Sequence, residues 1–111
     1  LRFPTLASHP QNALAIEQLG GAGGTLITFD IKGGKPAATK LLSALNLIRP
    51  AVTLGGAETL ISHSASSTHN SVDADTKAKT GLTESLLRLS VGLEAYVDIQ
   101  RDLATALAQA N

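Results

Sequence analysis

Hydrophobic residues recur along this chain with two different periods, which predict a succession of helices and strands. A period near 3.6 residues indicates a helix with one apolar face, and strict alternation indicates a strand with one face on a core. The helical pattern and its end signals predict four helices, over residues 9–19, 35–46, about 71–81 and 95–108. Alternation and short apolar runs predict strands over 25–31, 51–54, 60–61 and within 85–94, with a polar loop over 62–71.

Two helix starts carry side chains that suit an amino-terminal cap. Ser8 and Gln11 have the spacing of a capping box, in which each side chain accepts or donates at the other's backbone. Ser71 is predicted to cap the short helix that Gly81 ends. We therefore expect both helices to begin next to these serines.

The order of these elements predicts an α/β domain of two layers, a small mixed sheet covered by helices on one face. The 111 residues suffice for one domain with a core, so we expect residues 1–111 to form a single domain. They are few for a complete cofactor enzyme. The chain begins with Leu1 and contains no methionine, and we expect it to be a piece of a longer polypeptide.

A lone arginine, Arg88, lies inside the apolar stretch 85–94. Alternation places Leu87, Leu89 and Val91 on one face of the predicted strand and Arg88 on the other. A buried guanidinium keeps its charge, so it requires a carboxylate partner or a bound anion. Structural ion pairs outnumber ligand clamps, and from the residues alone we favour an internal ion pair with one of three carboxylates, Glu58, Glu84 or Glu94.

Charge and composition exclude several classes of partner. Nine basic and nine acidic residues cancel without a strong run of either sign, so we expect no nucleic-acid partner and no anionic membrane surface. The apolar runs are too short for a membrane span, which favours a soluble domain. The absence of cysteine removes disulfides and thiolate sites and is compatible with a cytoplasmic location. His63 and His69 lack a third ligand at a known spacing, so we expect no metal site.

Three ordered motifs resemble one enzyme family. They are Thr-Leu-Gly-Gly-Ala-Glu-Thr-Leu at 53–60, Ser-Ala-Ser-Ser-Thr-His at 64–69 and Leu-Leu-Arg-Leu-Ser-Val-Gly-Leu-Glu at 86–94. Together they are similar to the carboxyl-terminal domain of the pyridoxal-phosphate enzymes of cysteine and methionine metabolism. The family includes cystathionine and methionine gamma-lyases, cystathionine synthases and acyl-homoserine sulfhydrylases. The resemblance extends over nearly the whole chain.

The resemblance implies a role for several side chains. It implies that Arg88 grips the α-carboxylate of an amino-acid substrate, which reverses the preference for an internal ion pair. Thr53 stands where the family usually has serine, beside cofactor and substrate, and the resemblance places Leu54 and Thr68 in the same pocket wall. Val52 corresponds to a pocket position at which relatives differ, and its apolar side chain suits a thioether tail.

The resemblance also implies what this chain lacks. The lysine that forms the Schiff base with pyridoxal 5'-phosphate belongs to the large domain of the family, as do the phosphate-binding residues. We therefore expect no catalytic residue in this chain and no activity from it alone.

The residues themselves agree with this expectation. The five lysines lie on predicted polar helix faces or turns. The glycine cluster at 20–24 follows a helix and precedes a strand, which is the reverse of the order in a nucleotide-binding loop.

The function expected for the longer protein is a carbon-sulfur lyase, or a transferase that replaces the leaving group of an activated homoserine. Its substrate would be a sulfur-containing or activated homoserine amino acid. By resemblance it would be a cytoplasmic homotetramer in which this domain meets the large domain of the same enzyme. The alternative is a standalone interaction or regulatory domain that keeps the scaffold and performs no chemistry.

Overall fold

The computed structural model describes residues 1–67 and 69–110. Within these ranges the chain forms four strands and four α-helices, with a short 3-10 helix at Ser64–Ser66. In chain order the elements are α1 (Asn12–Leu19), β1 (Leu26–Asp30), α2 (Gly34–Ala44), β2 (Arg49–Pro50), β3 (Leu60–His63), α3 (Ala74–Lys79), β4 (Leu86–Ser90) and α4 (Tyr96–Ala110).

The four strands form one mixed sheet in the order β1-β4-β3-β2. Strand β4 is antiparallel to both of its neighbours, and β3 is parallel to the short edge strand β2. Helices α2 and α4 pack against each other and against one face of the sheet. The predicted two-layer α/β architecture is therefore confirmed.

The face of the sheet that meets the helices supplies the core. Leu87 and Leu89 of β4 and Ile61 of β3 are buried there, against Ala38 and Leu41 of α2. Burying each large aliphatic side chain contributes about 1.5–3 kcal/mol, so these few residues account for much of the cohesion between sheet and helices. The predicted alternation in β4 is confirmed, since the leucines at 87 and 89 face the core.

Helix α4 carries a buried carboxylate among its apolar positions. Ile99 and Ala106 are buried as the helical period predicts, and Asp102 is buried with them. The Asp102 carboxylate accepts hydrogen bonds from the backbone N–H groups of residues 46–48, at 2.9, 3.0 and 2.8 Å. These bonds join α4 to the segment between α2 and β2. They satisfy three backbone N–H groups that follow the end of α2 and have no partner within that helix.

The first helix starts later than the sequence indicates. Residues before Asn12 form successive turns, with His9 N–H donating to the Leu6 carbonyl and Asn12 N–H donating to the His9 carbonyl. The predicted capping box is wrong, because Gln11 is the residue before the helix and makes no side-chain cap. The ring nitrogen His9 Nδ1 instead accepts from Gln11 N–H at 3.2 Å.

The short helix α3 also differs from its predicted start. Its cap is Asp73 rather than Ser71, and the Asp73 side chain accepts from the backbone N–H of Thr76 at 2.9 Å. A carboxylate at this position also interacts favourably with the positive end of the helix. The predicted end is confirmed, since Thr80 closes the helix and Gly81 follows it with φ of 71°.

The predicted strand over 51–54 is wrong, because all four residues belong to an irregular loop. The edge strand lies earlier, at Arg49–Pro50, and the last bond along it runs from Ala51 N–H to the Ile61 carbonyl at 2.9 Å. Beyond that bond the carbonyls of Val52 and Thr53 accept hydrogen bonds from the Arg88 side chain and not from a neighbouring strand. The predicted loop over 62–71 also begins too early, because β3 continues to His63.

Candidate functional site

The face of the sheet opposite the helices has a mixed character. On β1 this face carries residues 26, 28 and 30; its part on β3 and β4, formed by residues 60, 62, 86, 88 and 90, we call the arginine face. Ser62 is the register partner of Arg88, and Leu60 is the register partner of Ser90. Of these five side chains only Arg88 is half-exposed, and the other four are buried.

Arg88 is held by backbone carbonyls. Its Nη2 donates to the carbonyl oxygen of Val52 at 2.9 Å and to that of Thr53 at 3.3 Å. Its Nε is buried and has no hydrogen-bond partner in residues 1–67 and 69–110. Over the same residues the ion pairs join Arg2 to Asp30 and Arg101 to Asp98, and Arg88 has no carboxylate within 4.0 Å.

The internal ion pair that the residues alone favour is therefore wrong for the described chain, and Glu94 shows why. Its carboxylate accepts from the backbone N–H and from the hydroxyl of Thr59, each at 2.6 Å. The Thr59 hydroxyl, followed by its N–H, holds the pKa of Glu94 below its ordinary value. Glu94 thus fastens the start of β3 and is not available to the arginine.

The loop 51–58 is attached to the arginine face at Arg88 and Ser90, and to the segment after β4 at Leu93. Beyond the two carbonyls that bind Arg88, Gly55 N–H donates to the Ser90 hydroxyl at 3.0 Å, and Leu93 N–H donates to the Ala57 carbonyl at 2.8 Å. Gly92 permits this approach, because a Cβ there would collide with the backbone of Ala57. The loop therefore has a defined position over the sheet.

A cavity of about 210 Å³ lies between this loop and the segment after β3. Apolar side chains form much of its wall, and Ser62, Ser66 and Ser67 add hydroxyl groups. Its lining residues are Leu42, Pro50, Ala51, Val52, Ile61, Ser62, His63, Ser66 and Ser67. A largely apolar pocket with a few hydroxyls, open to solvent on one side, fits a small organic group better than an ion.

The predicted site residues occupy different positions around this cavity. Val52 is 58% exposed and lines the cavity, while its carbonyl binds Arg88. Thr53 contacts Arg88 through its backbone, and Leu54, the next residue, is 49% exposed. Thr68 lies outside the described residues, and its neighbour Ser67 lines the cavity. The structure thus joins the loop 52–53 to Arg88.

Comparison with known proteins gives this geometry a context. Residues 1–108 match the family described as Cys/Met metabolism PLP-dependent enzyme, in which PLP is pyridoxal 5'-phosphate. The chain belongs to this family. The expected resemblance is confirmed over almost the whole sequence.

Individual relatives agree with the family. The chain is 45% identical to L-methionine gamma-lyase of Pseudomonas deceptionensis, over 95% of this chain and 26% of that enzyme. It is 38% identical to O-succinylhomoserine sulfhydrylase of Pseudomonas aeruginosa, over 96% of this chain and 26% of the relative. The crystal structure of cystathionine gamma-lyase from yeast superposes with a TM-score of 0.92 at 37% identity, over 97% of this chain and 28% of that one. The chain spans about a quarter of the length of the relatives it matches.

The lysines of this family member do not form a cofactor site in the described structure. Four of them are exposed, Lys77 is half-buried on α3, and none lines the cavity beside Val52. A lysine that attacks an aldehyde requires a desolvated setting, which these positions do not provide. The residues present therefore do not fit covalent attachment of pyridoxal 5'-phosphate.

His63 has a structural role. It is buried at the end of β3, where Nε2 lies 2.9 Å from the Glu84 carbonyl and Nδ1 lies 2.7 Å from the Ser66 hydroxyl. A carbonyl only accepts, so Nε2 carries the proton and Nδ1 accepts from Ser66. Across the described ranges no group of three or more His, Asp or Glu side chains is arranged to hold a metal. In those same ranges no helix has the length and apolarity to cross a membrane.

Sequence reasoning missed Ser62 and gave no role to Ser90, although alternation placed Ser90 on the face of Arg88. Ser62 was assigned to a loop because a polar run begins there, although alternation from Leu60 places it on the face of Arg88. Ser90 follows Arg88 by two residues, so the strand period alone places its hydroxyl on that face. The period of two residues was the usable signal in both cases.

Proposed function

We propose that this chain is the carboxyl-terminal domain of a longer pyridoxal-phosphate enzyme of sulfur amino-acid metabolism. The enzyme is a carbon-sulfur lyase, such as a methionine or cystathionine gamma-lyase, or a transferase such as an acyl-homoserine sulfhydrylase. The observation that carries this proposal is the state of Arg88, a half-buried guanidinium that is bound by neutral carbonyls and has no carboxylate partner in the described chain.

The charge of Arg88 supports an anionic ligand. Carbonyl oxygens at 2.9 and 3.3 Å solvate one terminal nitrogen, but they do not neutralise the cation. A planar guanidinium matches a carboxylate with two parallel hydrogen bonds, which are about twice as strong as bonds between neutral groups. The α-carboxylate of an amino-acid substrate has this shape and charge.

The role of Arg88 is to orient the substrate. A carboxylate fixed at two points determines which bonds of the adjacent α-carbon face the reacting groups, and such orientation is a large part of enzymatic rate enhancement. When bound, pyridoxal 5'-phosphate supplies an electron sink for carbanion chemistry. The residues that hold the cofactor belong to another part of the longer protein.

The loop and the cavity supply one wall of the substrate site. The family resemblance assigns Thr53, Leu54 and Thr68 to this wall, and Thr53 binds Arg88 through its backbone carbonyl at 3.3 Å. Val52 borders a largely apolar cavity, which suits the thioether tail of a sulfur amino acid better than a second charged head group. The similarity to L-methionine gamma-lyase and O-succinylhomoserine sulfhydrylase supports substrates of this class.

Surface composition supports a partner within the same enzyme. Large apolar side chains are exposed on α1 and around the start of α4, namely Leu14, Ile16, Leu19, Leu93, Tyr96 and Val97. Clustered exposed apolar groups are characteristic of faces that pack against other protein. We propose that they meet the large domain and neighbouring subunits of a cytoplasmic homotetramer.

The standalone interaction domain is the competing proposal, and one experiment separates the two. The natural protein that contains this sequence is purified, its mass is determined, and it is incubated with pyridoxal 5'-phosphate and L-methionine, L-cystathionine, or O-succinyl-L-homoserine with a thiol. We expect a protein about four times the length of this chain that binds the cofactor and converts at least one substrate. A natural protein with a mass near 11.4 kDa that converts none of these substrates would contradict the proposal that the protein is an enzyme.

A further inference from the structure

Two buried polar atoms on the arginine face have no hydrogen-bond partner. Ser62 is 4% exposed, and its hydroxyl is unpaired within residues 1–67 and 69–110. The Nε of Arg88 is also buried and unpaired there. Buried polar groups are nearly always satisfied in folded proteins, so two unsatisfied groups in one place require an explanation.

The two atoms are chemically complementary. The Nε–H of a guanidinium can only donate, and a serine hydroxyl oxygen can accept. Ser62 and Arg88 are register partners in the antiparallel pair of β3 and β4, so their side chains leave the same face of the sheet. Side chains directly opposite each other in such a pair have Cβ atoms about 4.5–5.5 Å apart, within reach of one another.

We propose that Ser62 is a positioning residue for Arg88, accepting a hydrogen bond from its Nε–H when a carboxylate is bound. In the present structure the guanidinium is drawn towards the loop through Nη2, which donates to the Val52 and Thr53 carbonyls, and Nε is left without a partner. A carboxylate that takes both terminal nitrogens replaces these carbonyl bonds. The guanidinium then turns, and its Nε–H meets the Ser62 hydroxyl.

This arrangement gives Ser62 an effect on the binding of the substrate's carboxylate without a contact to that carboxylate. A guanidinium held at Nε presents the edge formed by its two terminal nitrogens in a fixed direction, which is the edge that binds a carboxylate at two points. The inference rests on the proposed function, because it requires that Arg88 bind a carboxylate. It adds that β3 sets the orientation of this grip.

The test uses the full-length enzyme with its cofactor and a matched pair of variants. Both variants add a methyl group to the serine side chain, which the adjoining cavity of about 210 Å³ can admit. Ser62→Thr keeps the hydroxyl, and Ser62→Val has the shape of threonine with a methyl group in place of that hydroxyl. We expect Ser62→Val to raise KM for L-methionine, or for O-succinyl-L-homoserine if that is the substrate, by about tenfold, as loss of a hydrogen bond to a charged group predicts. Ser62→Thr should stay within about twofold of the wild type, and kcat should change less than KM in both.

A second step asks whether Ser62 acts through Arg88. Lysine has no Nε–H at the guanidinium position, so in an Arg88→Lys background Ser62→Val should have no further effect on KM. Ser62→Ala, a smaller change, serves as a replacement if Ser62→Val does not fold. Its thermal midpoint should match that of the wild type, because the hydroxyl it removes has no partner among residues 1–67 and 69–110.

The outcomes separate this inference from the proposed function. If Arg88→Lys alone leaves KM and kcat unchanged, the carboxylate grip and the role of Ser62 both fail. If Arg88→Lys impairs the enzyme but Ser62→Val and Ser62→Thr behave alike, only the role of Ser62 is overturned. An equal loss from Ser62→Val in the wild-type and Arg88→Lys backgrounds also overturns it, because the serine would then act through packing alone.

Discussion

Arg88 donates through Nη2 to the carbonyl oxygen of Val52 at 2.9 Å, so a cation at the centre of a strand is bound by the backbone of a loop. The loop and the strand lie 36 residues apart in sequence. This single bond joins the predicted substrate clamp to the wall of the cavity. A change at either residue is therefore expected to affect the same site.

Removing the guanidinium should impair the full-length enzyme. Arg88→Lys keeps the charge but loses the planar two-point grip, and Arg88→Ala loses both. We expect both variants to lower kcat/KM for the amino-acid substrate by at least about tenfold, corresponding to about 1.4 kcal/mol, with the larger loss in Arg88→Ala. Cofactor absorbance should be retained, because the arginine is not proposed to hold the cofactor.

The matched control for this prediction is Arg101→Ala, which removes the same side chain from the exposed surface of α4, where it pairs with Asp98 at 3.4 Å. Exposed pairs of this kind contribute at most about 1 kcal/mol, so activity should be unchanged. Folded Arg88→Ala enzyme with wild-type kcat/KM would remove the basis for the substrate clamp.

The polarity of the cavity should influence which tail the enzyme prefers. Val52 lines the cavity, and an acidic side chain there would disfavour the apolar methylthio end of methionine and attract a second amino group. We expect Val52→Asp to lower kcat/KM for L-methionine more than for L-cystathionine, which carries a second amino group, with a change in the ratio of about tenfold. The control is Val52→Ile, which keeps the site apolar and should leave the ratio within about twofold. Equal losses for both substrates in Val52→Asp would show that the residue does not select the tail.

The position of the loop 51–58 should depend on the absence of a side chain at Gly92. A Cβ at this position would collide with the backbone of Ala57, Glu58 and Thr59, which cannot rotate away as a flexible side chain can. We expect Gly92→Ala to lower the free energy of unfolding by about 1–3 kcal/mol and to raise KM, because the loop bearing the Val52 and Thr53 carbonyls moves. Gly56→Ala is the matched control, since a Cβ there meets nothing within 4 Å. Similar thermal midpoints for the two alanine variants would contradict this account.

The sequence predicted the architecture better than it predicted the partners of its charged groups. Alternation from Leu86 to Ser90 placed Arg88 at mid-strand on the face opposite the core, and the structure agrees. It did not predict that the groups nearest the guanidinium would be backbone carbonyls, because every residue has a carbonyl and only the folded chain brings particular ones together. The three glutamates were the candidates because a sequence shows which residues are charged. It does not show which backbone groups the fold brings close to the guanidinium, and those groups are its partners.

Polar residues inside regular elements were the second source of error. Ser62 and His63 opened a polar run that is typical of a loop, but both are buried in β3, and His63 bonds to the Glu84 carbonyl. Asp102 likewise interrupts the apolar stripe of α4 because it serves backbone donors on another segment. For His63 and Asp102 a long-range hydrogen bond overrides the local pattern.

The stability of the chain should depend on pH through Asp102. Burial acts to raise the pKa of its carboxyl group, but hydrogen bonds from the N–H groups of residues 48, 46 and 47 outweigh that effect and hold the pKa below the ordinary 3.8. Because the unfolded state binds the proton more readily, the stabilisation is fully present above the unfolded pKa and is lost as pH falls through the lower folded pKa. When the pH is lowered below about 4, the unfolded aspartate begins to bind protons. We therefore expect the urea concentration at the unfolding midpoint to decrease in that pH range.

Replacing the carboxylate should reduce that dependence. Asp102→Asn keeps one acceptor oxygen but loses the charge and at least one of the three bonds, so we expect a loss of about 2 kcal/mol at pH 7. The difference between the wild type and this variant should shrink as pH falls below 4, because protonation weakens the same bonds in the wild type. The control is Asp98→Asn, an exposed aspartate on the same helix that pairs only with Arg101 and should shift the midpoint little. A constant difference between wild type and Asp102→Asn from pH 7 to pH 3 would show that the Asp102 carboxylate is not the group that titrates.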